Sequence, residues 1–97
     1  MAEYARVVTF DADDAAIDAL VSDINSNDGP PEGIPGTRIT VLADRAAGQV
    51  VVSVRFGSEE DLEKGAATLE GMSPPAGGNI RRTSVDVYEV LVDRVAT

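Results

Sequence analysis

The densest group of reactive side chains in this sequence is acidic and lies near the amino terminus. Asp11, Asp13 and Asp14 stand close together and could bind Mg²⁺ or Ca²⁺, which prefer several oxygen ligands. The remainder of a calcium-binding loop is missing, however, and an amphipathic stretch follows at once. Carboxylates in that position cap a helix and complement its dipole. The spacing therefore favours a helix start, with Asp11 as the N-cap, over a metal site.

Two other segments and one tyrosine also carry side chains that could do chemistry. The run Arg81-Arg82-Thr83-Ser84 could bind an anion or accept a phosphate, but charged residues at the start of a strand give the same pattern. Gly77-Gly78 lacks the Lys-Ser/Thr pair and the helix that a phosphate-binding loop requires. Tyr88, on an alternating strand, could donate a proton or a hydrogen bond in a pocket, or could pack half-buried.

Three residue types are missing from the chain: cysteine, histidine and tryptophan. Without cysteine there is no disulfide and no thiolate nucleophile. Without histidine there is no Ser-His-Asp arrangement, and the commonest ligand of zinc, copper and haem iron is absent. We therefore expect no metal and no cofactor.

Length and charge bound the class of protein. The 97 residues suffice for one domain over 1–97, and 43% of them are hydrophobic, enough for a packed core. The net charge of −9 repels phosphate, so we expect no nucleic-acid and no membrane partner. The first residues show no basic region followed by an apolar one, which predicts a cytoplasmic protein. Seven arginines against one lysine are typical of a GC-rich bacterial genome.

The first half of the chain reads as strand, helix, strand. Residues 5–10 are β-rich and predict a first strand. A helix follows, whose apolar residues recur at i, i+3, i+4 and i+7: Ile17, Leu20, Val21 and Ile24. The stretch 25–36 is rich in Asn, Gly and Pro and predicts a long loop. A second strand is predicted over 38–43, and the turn at 44–48 is a hairpin with a glycine placed for positive φ.

The second half repeats the pattern as strand, helix, strand. Residues 49–56 predict the strongest strand, and Ser58 is placed to cap a second helix. The apolar face of that helix is expected to consist of Leu62, Ala66, Leu69 and Met72. A glycine and two prolines within 71–75 end the helix, and residues 83–92 alternate as a last strand. The order β-α-β-β-α-β is typical of a ferredoxin-like α+β fold, a four-stranded antiparallel sheet with two helices on one face.

This fold leaves one face of the sheet without helices. In the third strand, the row expected to meet the helices is apolar: Val50, Val52, Val54 and Phe56. The opposite row is mixed: Val51, Ser53 and Arg55. The first strand is expected to divide in the same way. On the helix side we expect Ala5, Val7 and Thr9, and on the bare face Arg6, Val8 and Phe10. This bare face is too apolar to be exposed to solvent, and such a face usually packs against another protein surface. The sequence therefore predicts a homodimer in which two bare faces pack together.

Several segments in chain order carry a family resemblance. They are Pro35-Gly36 before a strand, the hairpin Leu42-Ala43-Asp44-Arg45-Ala46-Ala47-Gly48, the passage Phe56-Gly57-Ser58-Glu59-Glu60-Asp61-Leu62 and the closing Tyr88-Glu89-Val90. Together they resemble the antibiotic biosynthesis monooxygenase-like superfamily of dimeric α/β barrels, in which a Trp-x-Ser-x-x-x-Leu passage leads into the second helix. The resemblance covers nearly the whole chain.

The resemblance implies a homodimer whose two sheets close a barrel, with a pocket in each subunit between sheet and helices. It places Phe56 at the inner wall of that pocket, whereas the apolar row of the third strand by itself favours Phe56 as a residue that fills the core between sheet and helices. The haem-degrading relatives use an Asn on the first strand, a Trp at the end of the third and a His on the second helix. Here residues 4–11 contain no Asn, Phe56 replaces the Trp and histidine is absent, so haem degradation is not expected.

Three functions remain open from the sequence. The leading one is a homodimer that binds a small apolar or aromatic ligand without catalysis. The second is a cofactor-independent monooxygenase acting on an aromatic substrate. The third is a protein-interaction module with a filled core and no pocket. The candidate pocket residues for the first two are Thr9, Arg38, Phe56 and Tyr88.

Overall fold

Six elements follow one another in the order that the sequence predicts. The computed structural model describes residues 2–26, 35–70 and 79–94. The elements are β1 (Glu3–Ala12), α1 (Asp14–Asn25), β2 (Gly36–Asp44), β3 (Gln49–Phe56), α2 (Glu59–Glu70) and β4 (Ile80–Val90). The four strands form one sheet in the order β2-β3-β1-β4, and every neighbouring pair is antiparallel. The ferredoxin-like α+β fold is therefore confirmed.

The start of α1 lies two residues later than the sequence predicts. Asp13 is the N-cap, and its side chain accepts a hydrogen bond of 2.8 Å from the N–H of Ala16. Asp11 does not cap the helix, because β1 continues through Ala12, which pairs with Ile80. A strand paired on both sides continues as far as its partners do, and local capping preference does not end it.

Two other local signals act as predicted. Ser58 caps α2, its hydroxyl accepting a hydrogen bond of 3.1 Å from the N–H of Asp61. In the β2–β3 hairpin Gly48 has a φ of +67°, a conformation that glycine adopts without steric cost. The predicted end of α2 at residues 71–75, with Met72, and most of the predicted loop at 25–36 lie outside the described residues.

Both helices pack on the same face of the sheet, against the predicted apolar row of β3. From α1, Ile17 and Leu20 are buried against Val50, while Val21 is partly exposed. From α2, the buried Leu62 packs with Val54 and Phe56, and Leu69 packs at its edge. The core is thus one layer thick between sheet and helices, as the fold predicts.

The prediction for the faces of β1 is wrong. The register pairs Arg6 with Val54 and Val8 with Val52, which puts the even-numbered residues of β1 on the helix side. Arg6 is nonetheless buried there, because its guanidinium bonds the carboxylate of Glu70 at the end of α2 at 2.7 Å. Ala5, Val7 and Thr9 therefore lie on the face without helices. The alternation of side chains identifies the two rows of a strand. Which row is buried is usually predicted from polarity, and this prediction fails where a charged residue is buried in an ion pair.

Strand β4 spans Ile80–Val90, three residues earlier at its start than the predicted 83–92 and two earlier at its end. It pairs with β1 from Ala12↔Ile80 to Glu3↔Val90, so its length is set by that of β1. It forms an edge of the sheet, and all its residues except the first and last are exposed.

Candidate ligand-binding face

The face of the sheet opposite the helices carries most of the predicted site residues. We call it the open face and define it by four strand segments with alternating side chains. They are the odd-numbered residues of 5–9 and 51–55 and the even-numbered residues of 38–42 and 84–88. Its apolar members include Leu42, which is 59% exposed, and the partly buried Val7 and Val51.

One row of the open face crosses all four strands. Arg38 pairs with Arg55, Arg55 with Ala5, and Ala5 with Tyr88. Adjacent strands lie about 4.8 Å apart, so Arg38 and Tyr88 stand at opposite ends of a row about 14 Å long. Thr9 lies on β1, four residues along from Ala5 and thus about 13 Å away. The structure therefore places Thr9, Arg38 and Tyr88 on one surface.

Phe56 does not belong to that surface. It lies on the helix side, and its ring is fully buried, with 0% of the residue exposed. A side chain at Gly65 of α2 would bring its Cβ to 2.6 Å from the ring Cζ, so the ring lies directly against the helix backbone. Around Phe56, the region between sheet and helices is filled.

Two residues that sequence reasoning did not single out shape the open face. Arg55, 18% exposed, donates a hydrogen bond of 2.9 Å from Nη1 to Oδ2 of Asp93. Arg38 Nη1 lies 3.9 Å from the same oxygen. Asp93 follows β4, so the chain returns from the β4 edge of the sheet to its β2–β3 side. The sequence predicts Arg55 on the bare face, near the end of the strongest strand, but does not mark it as a site residue, and it gives no signal for Asp93.

Arg55 also carries an unsatisfied donor. Its Nε is buried and has no hydrogen-bond partner among the described residues. A buried donor without a partner costs free energy, about 1–3 kcal/mol for a typical group. Such an atom in a native structure calls for an explanation, such as a ligand or a rearrangement on binding.

The acidic group at the end of β1 is occupied by protein partners. Asp11 binds Arg81 at 2.8 Å, and Asp14 binds Arg45 at 2.9 Å. The hydrogen bonds that Asp13 accepts from the backbone N–H groups of Ala16 and then Asn79 hold the pKa of its carboxyl below the ordinary value. Among the residues that the structure describes, no three His, Cys, Asp or Glu side chains are arranged to hold a metal ion. The capping role is confirmed, with Asp13 in place of Asp11.

An open groove of about 440 Å³ lies beside this acidic group. Its lining is Asp11, Ala12, Asp13, Asn79, Ile80 and Arg81. The charged residues of the lining already pair with one another or cap α1. The groove is wide open, unlike the pockets that enclose most of a small ligand's surface.

The basic run at the start of β4 also has internal partners. Arg82 donates to both carboxylate oxygens of Glu70, at 3.0 and 3.4 Å, and Arg6 donates to one of them at 2.7 Å. The bond from Arg82 and its charge, followed by Arg6, hold the pKa of Glu70 below its ordinary value. Thr83 donates from its hydroxyl to the carbonyl of Thr9 at 3.1 Å. These contacts are those of a charged surface segment that ties β4 to β1 and α2.

Comparison with known proteins does not assign the chain to a family. No protein-family model, no curated protein and no solved structure matches the chain. Neither of the two helices that the structure describes is long and apolar enough to cross a membrane.

Proposed function

We propose that the chain is a homodimer that binds a small apolar or aromatic ligand on the open face of its sheet and does not catalyse a reaction. The observation that carries the proposal is the placement of Thr9, Arg38 and Tyr88 on one surface, on the side of the sheet opposite α1 and α2. Those residues were the polar and aromatic candidates of the sequence, and they lie beside the apolar Val7 and Val51.

The open face has the composition of an interface. Leu42 and Val51 pair at one end of the face, Val7 lies at its centre among polar residues, and Arg38 and Arg55 pair at the other end. Arginine and tyrosine are enriched in protein interfaces. A second copy placed face to face would cover Leu42 and Tyr88, which are 59% and 56% exposed in the single chain. The partner would thus form the second wall of the ligand site.

The filled interior around Phe56 favours the open face over a pocket between sheet and helices. The absence of histidine and cysteine from the sequence favours binding over catalysis, because the usual general base and the thiolate nucleophile are missing. Thr9, Arg38 and Tyr88 can donate hydrogen bonds and Tyr88 can stack, which suffices to orient a ligand.

The dimer is tested by static light scattering at micromolar concentration, where we expect about twice the chain mass of 10.1 kDa. Val51→Asp should shift the protein toward monomer, because burying an unpaired charge in an interface costs several kcal/mol. Val21→Asp is the matched control, since it adds the same charge on α1, on the other side of the sheet, where Val21 is 37% exposed. A wild-type monomer, or equal effects of both substitutions, contradicts the proposed interface.

Ligand binding is tested by native mass spectrometry of freshly purified protein, followed by calorimetric titration with small aromatic compounds. We expect a bound small molecule, or saturable binding, that Val51→Asp weakens together with the dimer. Oxygen uptake is measured in parallel with a panel of hydroquinones. Uptake that depends on the protein would support the monooxygenase in place of the binding protein, and a dimer without any binding would support the interaction module.

A further inference from the structure

We propose that Arg38 and Arg55 form a carboxylate-binding site on the open face, that its ligand is a small aromatic carboxylate, and that Asp93 is an internal occupant which the ligand displaces. The inference rests on the proposed function, and it adds the chemical class of the ligand and the residue that competes with it. Two observations support it: Arg38 and Arg55 share the single carboxylate of Asp93, and Tyr88 lies in the same row of the sheet as the two arginines.

The two guanidinium groups are incompletely paired. Asp93 offers one oxygen to both, at 2.9 Å from Arg55 and 3.9 Å from Arg38. The second distance exceeds that of a hydrogen bond. Glu70 also serves two arginines but does so with both of its oxygens, at 2.7, 3.0 and 3.4 Å. Arg45 has two carboxylates of its own, at 2.9 and 2.7 Å. Arg38 and Arg55 thus share one carboxylate, and only Arg55 is hydrogen-bonded to it.

The unsatisfied Nε of Arg55 shows that Asp93 leaves hydrogen-bonding capacity unused. Arginine binds carboxylates best through two parallel N–H donors, and Asp93 engages only Nη1. A free carboxylate is not tethered to the backbone and can approach in the bidentate geometry that Asp93 does not reach. Once Asp93 withdraws, the guanidinium of Arg55 can turn so that Nε and an Nη donate together.

The row beyond Arg55 accounts for the aromatic part of the ligand. Ala5 separates Arg55 from Tyr88 and puts only a methyl group between the two longer side chains; at 9% exposure, it is covered by other atoms of the chain as long as no ligand is bound. Two strand spacings put Arg55 and Tyr88 about 10 Å apart, a span that one ring with a carboxylate can bridge. The ring of Tyr88, 56% exposed, is available for offset stacking. A guanidinium, a small residue and an aromatic ring in one row match an aryl carboxylate in spacing and charge.

Asp93 lies on a segment that can withdraw. It follows the end of β4 at Val90, its side chain is 44% exposed, and the neighbouring Leu91 and Val92 are 82% and 74% exposed. Few contacts therefore oppose displacement of this segment. Because Asp93 and a ligand carboxylate compete for the same donors, removing the charge of Asp93 should strengthen ligand binding. A merely structural ion pair predicts no such gain.

The test is calorimetric titration of the full-length protein with benzoate and with benzyl alcohol, a neutral compound of similar size. We expect benzoate to bind at least about tenfold more tightly, and Arg38→Gln to weaken the binding of benzoate about tenfold but that of benzyl alcohol much less, because the neutral compound loses a hydrogen bond and no ion pair. Arg38 is 63% exposed, so this variant is expected to fold. Asp93→Asn should tighten benzoate binding severalfold. Arg45→Gln, which removes an exposed arginine at the β2–β3 hairpin, is the control and should change neither compound.

The outcomes separate this inference from the function on which it rests. Equal binding of benzoate and benzyl alcohol overturns the carboxylate site but leaves an aromatic-binding protein. Unchanged or weaker benzoate binding by Asp93→Asn overturns the role of Asp93. Equal losses in Arg38→Gln and Arg45→Gln would show that only the overall charge matters, which also overturns the site. Binding of neither compound contradicts the proposed function and the inference together.

Discussion

Replacing Gly65 by alanine should destabilise the protein, although alanine is the better helix former. Gly65 lies in the middle of α2, and its Cα faces the ring of Phe56. A Cβ there would lie 2.6 Å from Cζ of the ring, closer than two carbon atoms can approach. The ring cannot move outward, because Phe56 is fully buried in a close-packed core. The added methyl group must therefore displace the helix or the ring.

The expected magnitudes follow from two opposing effects. Alanine gains about 1 kcal/mol over glycine within a helix. Overpacking a core costs about 1–3 kcal/mol, so Gly65→Ala should lower the free energy of unfolding by about 1 kcal/mol net. Phe56→Ala should lower it by about 3–5 kcal/mol, because no side of the ring faces open space. In the Phe56→Ala background the methyl group enters the vacated space, so Gly65→Ala should now stabilise by about 1 kcal/mol.

The assay is urea unfolding of the wild type, the two single variants and the double variant, with their m-values compared. All measurements are made at one protein concentration, because the unfolding of a dimer depends on concentration. Ala67→Gly, at an exposed position of the same helix, measures the propensity effect alone and should cost about 1 kcal/mol. Stabilisation by Gly65→Ala in the wild type would refute the contact between Phe56 and α2. A loss of only about 1–2 kcal/mol for Phe56→Ala would restore Phe56 as the wall of an open pocket.

Further predictions concern the helix cap, acid stability and metals. Ser58→Ala should lower the free energy of unfolding by about 1 kcal/mol, since it removes the acceptor for the N–H of Asp61, and Ser58→Gly should cost less in the same urea assay. The pKa values of Asp13 and Glu70 are held below their ordinary values of 3.8 and 4.5, so in acid the unfolded chain binds more protons than the folded one. The two carboxylates therefore contribute fully to stability above the ordinary pKa values, and this contribution is lost as the pH falls through the lowered ones. Thermal melts as a function of pH should show this acid loss, and Glu70→Gln should make it shallower; an identical profile would contradict the Glu70 contribution. Elemental analysis and a Soret titration should find neither a stoichiometric metal nor tight haem binding, since the sequence has no His or Cys ligand.

The candidate site could be only partly predicted. Thr9, Arg38 and Tyr88 are recognisable from residue type and strand position, but their common face depends on the register across four strands. Phe56 was predicted at a pocket wall through a family resemblance, and the structure places it within the core, against α2. Asp93 could not be found at all, since its partner Arg55 is 38 residues away in the chain. Contacts of this range are set by how elements pack, which no local pattern encodes.

The order of the elements was determined by the sequence alone, because it depends on local physics. Hydrophobic periodicity distinguished strands from helices, Ser58 capped α2, and Gly48 supplied the positive φ of the hairpin. Two features were decided only by the tertiary structure. The first is where β1 and β4 end, since both strands extend as far as pairing between strands allows. The second is which side of β1 faces the helices. Arg6 illustrates the reason: its charge predicts exposure, yet it is buried because Glu70, 64 residues away, supplies the opposite charge.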